Sequence, residues 1–103
     1  MEDRKMEITY NNVMFEWVTN KEKLNIKKHG MDFRTAVRIF SDDNRIELYD
    51  RNHSIEEDRY LTIGMIDNKA FVATVCYTER TDKLRIISAR EATKEERRMY
   101  NDR

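Results

Sequence analysis

Lys21, Asn25, Lys28 and His29 fall on one stripe, with Leu24 beside them, when residues 20–29 are wound at about 100° per residue as a helix. A mostly cationic stripe of this kind is either an ordinary solvated face or a site. In the second case His29, at a helix C-terminus, is expected to be held partly cationic by the helix dipole and to exchange a proton near neutral pH. Farther along the chain, Arg59 shares alternation parity with Leu61 and Ile63, and Arg90 with Leu84, Ile86 and Ser88, so both guanidiniums start from a core-facing side of a strand. Arginines at such margins either snorkel or present forks to phosphate oxygens. Arg80 in a turn and Arg85 on the opposite parity would add two more forks. Tyr77 has the parity of Phe71, Ala73 and Val75, which suits packing at a core edge or stacking on a base.

Other chemistries find less support. His53 lies in an acidic loop, and although His29, His53 and Glu57 are metal-ligand types, nothing in their spacing selects a metal site. Ser41, Ser54 and Ser88 lack the glycine-flanked elbow of a serine nucleophile. With only two glycines, Gly30 and Gly64, and no proline, phosphate cradles built on repeated glycines are excluded. The single cysteine, Cys76, sits in an apolar run as a small buried thiol would.

The elements that must position these groups are legible from periodicity. Residues 1–12 are polar and aperiodic and read as a flexible extension before a single domain spanning 13–103. Val13 to Val18 is strand-like, and Thr19-x-x-Glu22 reads as a capping box opening a helix that Gly30 closes. Asp32 is the expected N-cap of a second helix burying Phe33, Ala36, Val37 and Phe40. Period-two alternation at 46–49 marks a strand. Two hairpins follow, turning at Asp67-Asn68-Lys69 and at 79–83, with strands from Arg59 to Ile66, Ala70 to Thr78 and Leu84 to Ala89. Thr93-x-x-Glu96 then caps a last charged helix. The order β-α-α-β-β-β-β-α gives an α+β fold: a small antiparallel sheet, two N-terminal helices after a first strand, and one C-terminal helix.

Composition sets bounds on function. In 103 residues, 39% are charged, against roughly 25% in an average domain. Twenty Lys+Arg balance twenty Asp+Glu, so any nucleic-acid site must come from local clustering. Residues 41–58 carry seven acids against two bases, whereas 80–98 carry seven bases against four acids. No apolar stretch reaches the ~20 residues of a membrane span, and the first residues do not resemble a signal peptide, so a cytoplasmic protein with no membrane contact is expected.

Particular residues also carry a family resemblance. Phe15-Glu16-Trp17, then Lys21, Asn25 and Lys28-His29-Gly30 with Phe33, Ala36 and Phe40, resemble the opening of the BrnT toxin family. His53, Glu57 and Arg59 to Gly64 are similar to its middle. Tyr77-Thr78-Glu79-Arg80, followed by Arg85-Ile86-Ile87-Ser88-Ala89-Arg90-x-Ala92-Thr93, looks like its closing signature. Two departures stand out: Val18 replaces a common acid, and 26–28 is more basic than usual.

The resemblance implies a type II toxin with a fold related to the RelE ribonucleases. It further implies RNA cleavage that stops translation, without metal or other cofactor, and a BrnA-like antitoxin that inhibits it. Operator DNA would be read only through the antitoxin. Metal-free cleavage needs a base for the 2′-hydroxyl proton, cations for charge growing on the phosphate, and an acid for the leaving oxygen. Lys28, His29, Arg59, Arg80 and Arg90 are the expected catalytic groups, and Lys21, Asn25, Tyr77 and Arg85 the expected RNA contacts. A module that only docks RNA or the ribosome, or one that acts only by protein pairing, would reuse the same patch.

Overall fold

In the computed structural model of the chain, residues 3–67 and 71–102 are described. Six strands form one sheet: β1 (Lys5–Tyr10), β2 (Val13–Val18), β3 (Ile46–Tyr49), β4 (Arg59–Met65), β5 (Val72–Arg80) and β6 (Lys83–Glu91). Three α-helices accompany them, α1 (Thr19–His29), α2 (Phe33–Ala36) and α3 (Lys94–Asn101). The strand order is β1-β2-β6-β5-β4-β3. Every neighbouring pair is antiparallel except β2 and β6, which run parallel over Phe15–Leu84 and Glu16–Arg85. The α+β class and the C-terminal meander match the sequence reading. The parallel contact, which joins the two ends of the chain, was not anticipated.

Several local expectations change. Residues 5–10, read as part of an extension, form β1, because Met6, Ile8 and Tyr10 alternate with the polar Lys5, Glu7 and Thr9 and pack against the core from the edge of the sheet. Thr19 and Glu22 do not make a capping box: Thr19 Oγ1 accepts from Arg4 N–H, and Glu22 instead accepts from Trp17 Nε1 at 3.0 Å and from Phe33 N–H at 2.9 Å. The carboxylate thus ties β2 to the start of α2. Gly30 does end α1, in the left-handed region at φ 73°, its N–H bonded to Ile26 O. Asp32 does cap α2, accepting from Thr35 N–H at 2.7 Å. The chain then tightens to a 3₁₀ turn over Val37–Ser41, which buries Ile39 in addition to the expected Phe33, Ala36 and Val37. The hairpin residues Asn68 and Lys69, and the start of the next strand at Ala70, lie outside the described residues.

The sheet carries a core on each face. On one face Phe15, Trp17, Val75, Ile86 and Ala89 meet Phe33, Ala36, Val37 and Ile39 from the helical layer. On the other, α3 covers only part of the sheet, where Tyr100 and Ala92 pack with Ile63 and Val72. The uncovered remainder of that second face holds the cations.

Candidate functional site

The register between β5 and β6 decides which side chains meet. Cys76 stands opposite Ser88 but Tyr77 opposite Ile86, so Ile87 is an extra residue, a β-bulge. Beyond it the alternation re-phases. Ile86 faces the helical core, as expected, whereas Arg85, Ser88 and Arg90 lie together on the opposite face. The sequence expectation that Arg90 shares a face with Leu84 and Ile86, and that Arg85 opposes it, is therefore corrected. Arg85 pairs across to Thr78 and Thr78 to Arg59, while Arg90 pairs to Thr74. By the same alternation Arg80 lies on this face too. Four arginines thus share the partly uncovered side of the sheet.

Each arginine has a defined setting. Arg85 Nε donates to Glu16 Oε2 at 2.7 Å. Glu16, 3% exposed, also has Lys5 and Lys83 within 3.8 Å. Burial alone would raise the Glu16 carboxyl, but Arg85, helped by Lys5 and Lys83, holds it below the usual value. Arg80 pairs with Glu57 at 2.8 Å. Arg59 has a buried Nε–H that finds no partner among the described residues, so its guanidinium keeps unspent hydrogen-bonding capacity. Arg90 is gripped by Glu96, Nη1 donating to Oε1 at 2.8 Å and Nη2 to Oε2 at 3.1 Å. Burial would raise the Glu96 carboxyl, but Arg90, Thr93 N–H and Thr74 Oγ1 bring it down to about 2. The fork expected to be open for phosphate is therefore partly engaged. The capping box expected at Thr93 and Glu96 is present, and its glutamate is the residue holding Arg90.

Cys76 lies between these groups. Burial pushes its thiol up to about 11, while Arg59 and Arg90 are both near enough to pull it the other way. Arg90 also reaches His29 electrostatically. His29 is exposed at the end of α1, and partial desolvation, then the charges of Lys28 and Arg90, lower its imidazole below the ordinary value, which favours the neutral form at pH 7. The rise expected from the helix dipole is opposed first by desolvation and then by the charges of Lys28 and Arg90.

His29, next to Lys28 at the end of α1, thus lies within electrostatic reach of Arg90, and Cys76 within reach of both Arg90 and Arg59, on the face that also carries Arg80 and Arg85. Lys21 is exposed on α1. Asn25 and Tyr77 are not surface groups. Asn25, 6% exposed, accepts from Ala89 N–H at 3.0 Å and donates to Ala89 O and Met31 O, both at 2.8 Å. It thereby fills the edge of β6 that β2 leaves unpaired and sets α1, with His29 at its end, beside Arg90. Tyr77 is 7% exposed, its ring between Phe40 and Tyr60 and its hydroxyl bonded to Glu47, so it packs the core edge and offers no ring face to a base. His53 pairs with Asp50 at 3.0 Å, and among the described residues no three His, Cys, Asp or Glu side chains are grouped to hold a metal ion. Glu16, Glu57 and Glu96 were missed as partners of the arginines. Only Glu16 left a signal, as the one polar residue between Phe15 and Trp17.

Beside His29 opens a cavity of about 330 Å³, walled by Met31, Asp32, Thr35, Phe71 and Glu91. No helix among the described residues is long and apolar enough to cross a membrane. No curated protein matches the chain. The family model described as the ribonuclease toxin, BrnT, of type II toxin–antitoxin systems matches residues 17–96, from Trp17 through Glu96, and so takes in α1, the whole arginine-bearing face and the glutamate that grips Arg90. The chain belongs to the BrnT family of ribonuclease toxins of type II toxin–antitoxin systems.

Proposed function

We propose that this toxin cleaves RNA endonucleolytically, without a metal, by attack of the substrate's own 2′-hydroxyl on the adjacent phosphate. The observation that carries the reading is the apposition of His29, its neutral form favoured, with Arg90, on a sheet face that also bears Arg59, Arg80 and Arg85. A neutral imidazole accepts the hydroxyl proton. The guanidiniums meet the charge that grows on the phosphate. Lys28, which neighbours His29, serves the leaving 5′-oxygen or its phosphate. Lys21 and Arg85 hold the flanking backbone.

For Arg90 to take part, phosphate must share it with Glu96. Its Nε–H and one Nη2–H remain for that purpose. The same grip favours a second reading, in which the arginines only dock RNA and nothing is cut. Antitoxin-free protein incubated with RNA in EDTA separates the two. Scission yielding 2′,3′-cyclic phosphate ends, with DNA left intact, is the expected result. Efficient DNA cutting, or activity lost with EDTA, overturns the metal-free 2′-hydroxyl route, and binding without scission supports docking.

The toxin acts in the cytoplasm, where cutting RNA stops translation. Its antitoxin, BrnA-like, lays acidic side chains over this face and shuts RNA out, and it supplies the reading of operator DNA. Specific operator binding by the toxin alone would count against that division of labour.

A further inference from the structure

The cavity beside His29 differs from the rest of the site in sign. His29 lines it, next to the cationic cluster, yet the rest of its polar lining is Asp32, Thr35 and Glu91. Its apolar wall is Met31, which belongs to the main core, and Phe71, which packs against that core from outside. Two carboxylates repel phosphate, so the group this cavity takes is the part of a nucleotide that is flat, apolar on its faces and rich in N–H donors at its edge. We propose that the cavity is a subsite for a guanine base of the RNA, with Phe71 as the surface it stacks on and Glu91 as the carboxylate that reads its edge. This rests on the RNA-cleaving reading above and deepens it.

Three observations converge on that assignment. First, Arg90 and Glu91 are consecutive on β6, so alternation sends their side chains to opposite sides of the sheet, Arg90 toward the cationic face and Glu91 toward the cavity. Because His29 walls the cavity and also feels Arg90, a nucleotide with its phosphate at Arg90 and its 2′-hydroxyl at His29 puts its own base inside. Second, the carboxylates are unequal. Asp32 spends Oδ1 on Thr35 N–H as the cap of α2, whereas the Glu91 side chain makes no hydrogen bond or ion pair among the described residues. Third, the donor pattern selects the base. Guanine sets N1–H and the N2 amino group side by side, which one carboxylate accepts with both oxygens. Uracil offers one N–H between two carbonyls, and adenine and cytosine set an amino group beside a ring acceptor that the carboxylate repels. Single-stranded RNA is commonly read this way, by an unstacked base held on an aromatic ring.

The base read is the one on the 5′ side of the broken bond, so cleavage leaves guanosine 2′,3′-cyclic phosphate. The test separates the subsite from the reaction by using a mononucleotide that has nothing to cleave. Guanosine 3′-monophosphate and uridine 3′-monophosphate are titrated calorimetrically into wild-type protein and into Glu91→Gln and Phe71→Leu variants, and cleaved RNA ends are mapped in parallel. Guanosine 3′-monophosphate should bind about tenfold tighter or more, the scale of one bidentate edge contact. Glu91→Gln should erase the preference with the fold intact, since the side chain is exposed and near-isosteric, and Phe71→Leu should weaken both ligands. Guanine-selective binding in a protein that cuts no RNA keeps the subsite and removes the reaction. Equal binding of the two nucleotides, a preference that survives Glu91→Gln, or cleavage spread evenly after all four bases would each overturn the subsite.

Discussion

Replacing Asn25 by alanine separates a structural pin from an RNA contact. The substitution removes the partners of three backbone groups: Ala89 N–H, Ala89 C=O and Met31 C=O. A buried group left unpaired costs ~1–3 kcal/mol, and carbonyls are more easily re-satisfied than an N–H, so the sum is about 3–5 kcal/mol. A domain of this size is typically stable by only ~5–15 kcal/mol, so the loss is a large share of the whole. Urea unfolding followed by the fluorescence of Trp17, the one tryptophan and wholly buried, should show the midpoint falling with the slope unchanged. Asn25→Asp keeps the acceptor for Ala89 N–H but turns negative oxygen toward two carbonyls, so its deficit should shrink on acidification. An Asn25→Ala variant within ~1 kcal/mol of the parent that nevertheless fails to bind RNA would refute the argument and return Asn25 to the interface.

Glu96, held near a pKa of about 2 against an ordinary 4.5, stabilises the native state when ionised. That contribution is complete above pH ~4.5 and is lost as pH falls toward 2, so Glu96→Gln should cost about 2–3 kcal/mol at pH 7 and flatten the acid limb of the stability curve. The lowered pKa of His29 predicts that cleavage rises with pH through a midpoint below 6.5 and then levels, since the neutral form is the base; His29→Ala should remove that limb from the kcat/KM profile. Gly64→Ala would place a Cβ 3.1 Å from Arg45 Cβ, Asp42 Oδ2 and Ile39 Cγ1 at once, and a loss of about 1–3 kcal/mol in denaturant unfolding is expected.

Local rules were legible in the sequence. Gly30 as a helix stop, Asp32 as a cap, the Thr93–Glu96 box and the alternation at 46–49 each rest on a few adjacent residues, and each is present. The errors came from competition at longer range. Glu22 had two partners better than its own helix end. The strand 5–10 was hidden because its outward residues, Lys5, Glu7 and Thr9, are polar and only a partner strand makes its inward ones count. Parity reasoning for Arg85 and Arg90 broke on one inserted residue, Ile87, whose position is set by the neighbouring strand. The arginines of β5 and β6 stand out in the sequence, but the carboxylate partners of Arg85, Arg90 and Arg80 lie on β2, on α3 and in the loop before β4, at separations no local pattern reports. Asn25 and Tyr77 carried the same ambiguity as any amphipathic side chain, which only burial resolves.

The order of strands has a consequence for how the molecule comes into being. β6, which follows every other strand in sequence, is inserted in the middle of the sheet, between β2 and β5. Until it arrives, the β1–β2 hairpin and the β3–β5 meander have no shared ladder, and Glu16 and Asn25 wait for partners 69 and 64 residues away. Closing loops of that length is slow and comes late in folding. Arg85 and Arg90 travel on this same strand, so the cationic face is assembled in the step that completes the fold. A chain that has not yet placed β6 therefore lacks both the ladder that joins its two halves and the arginines Arg85 and Arg90 on this face.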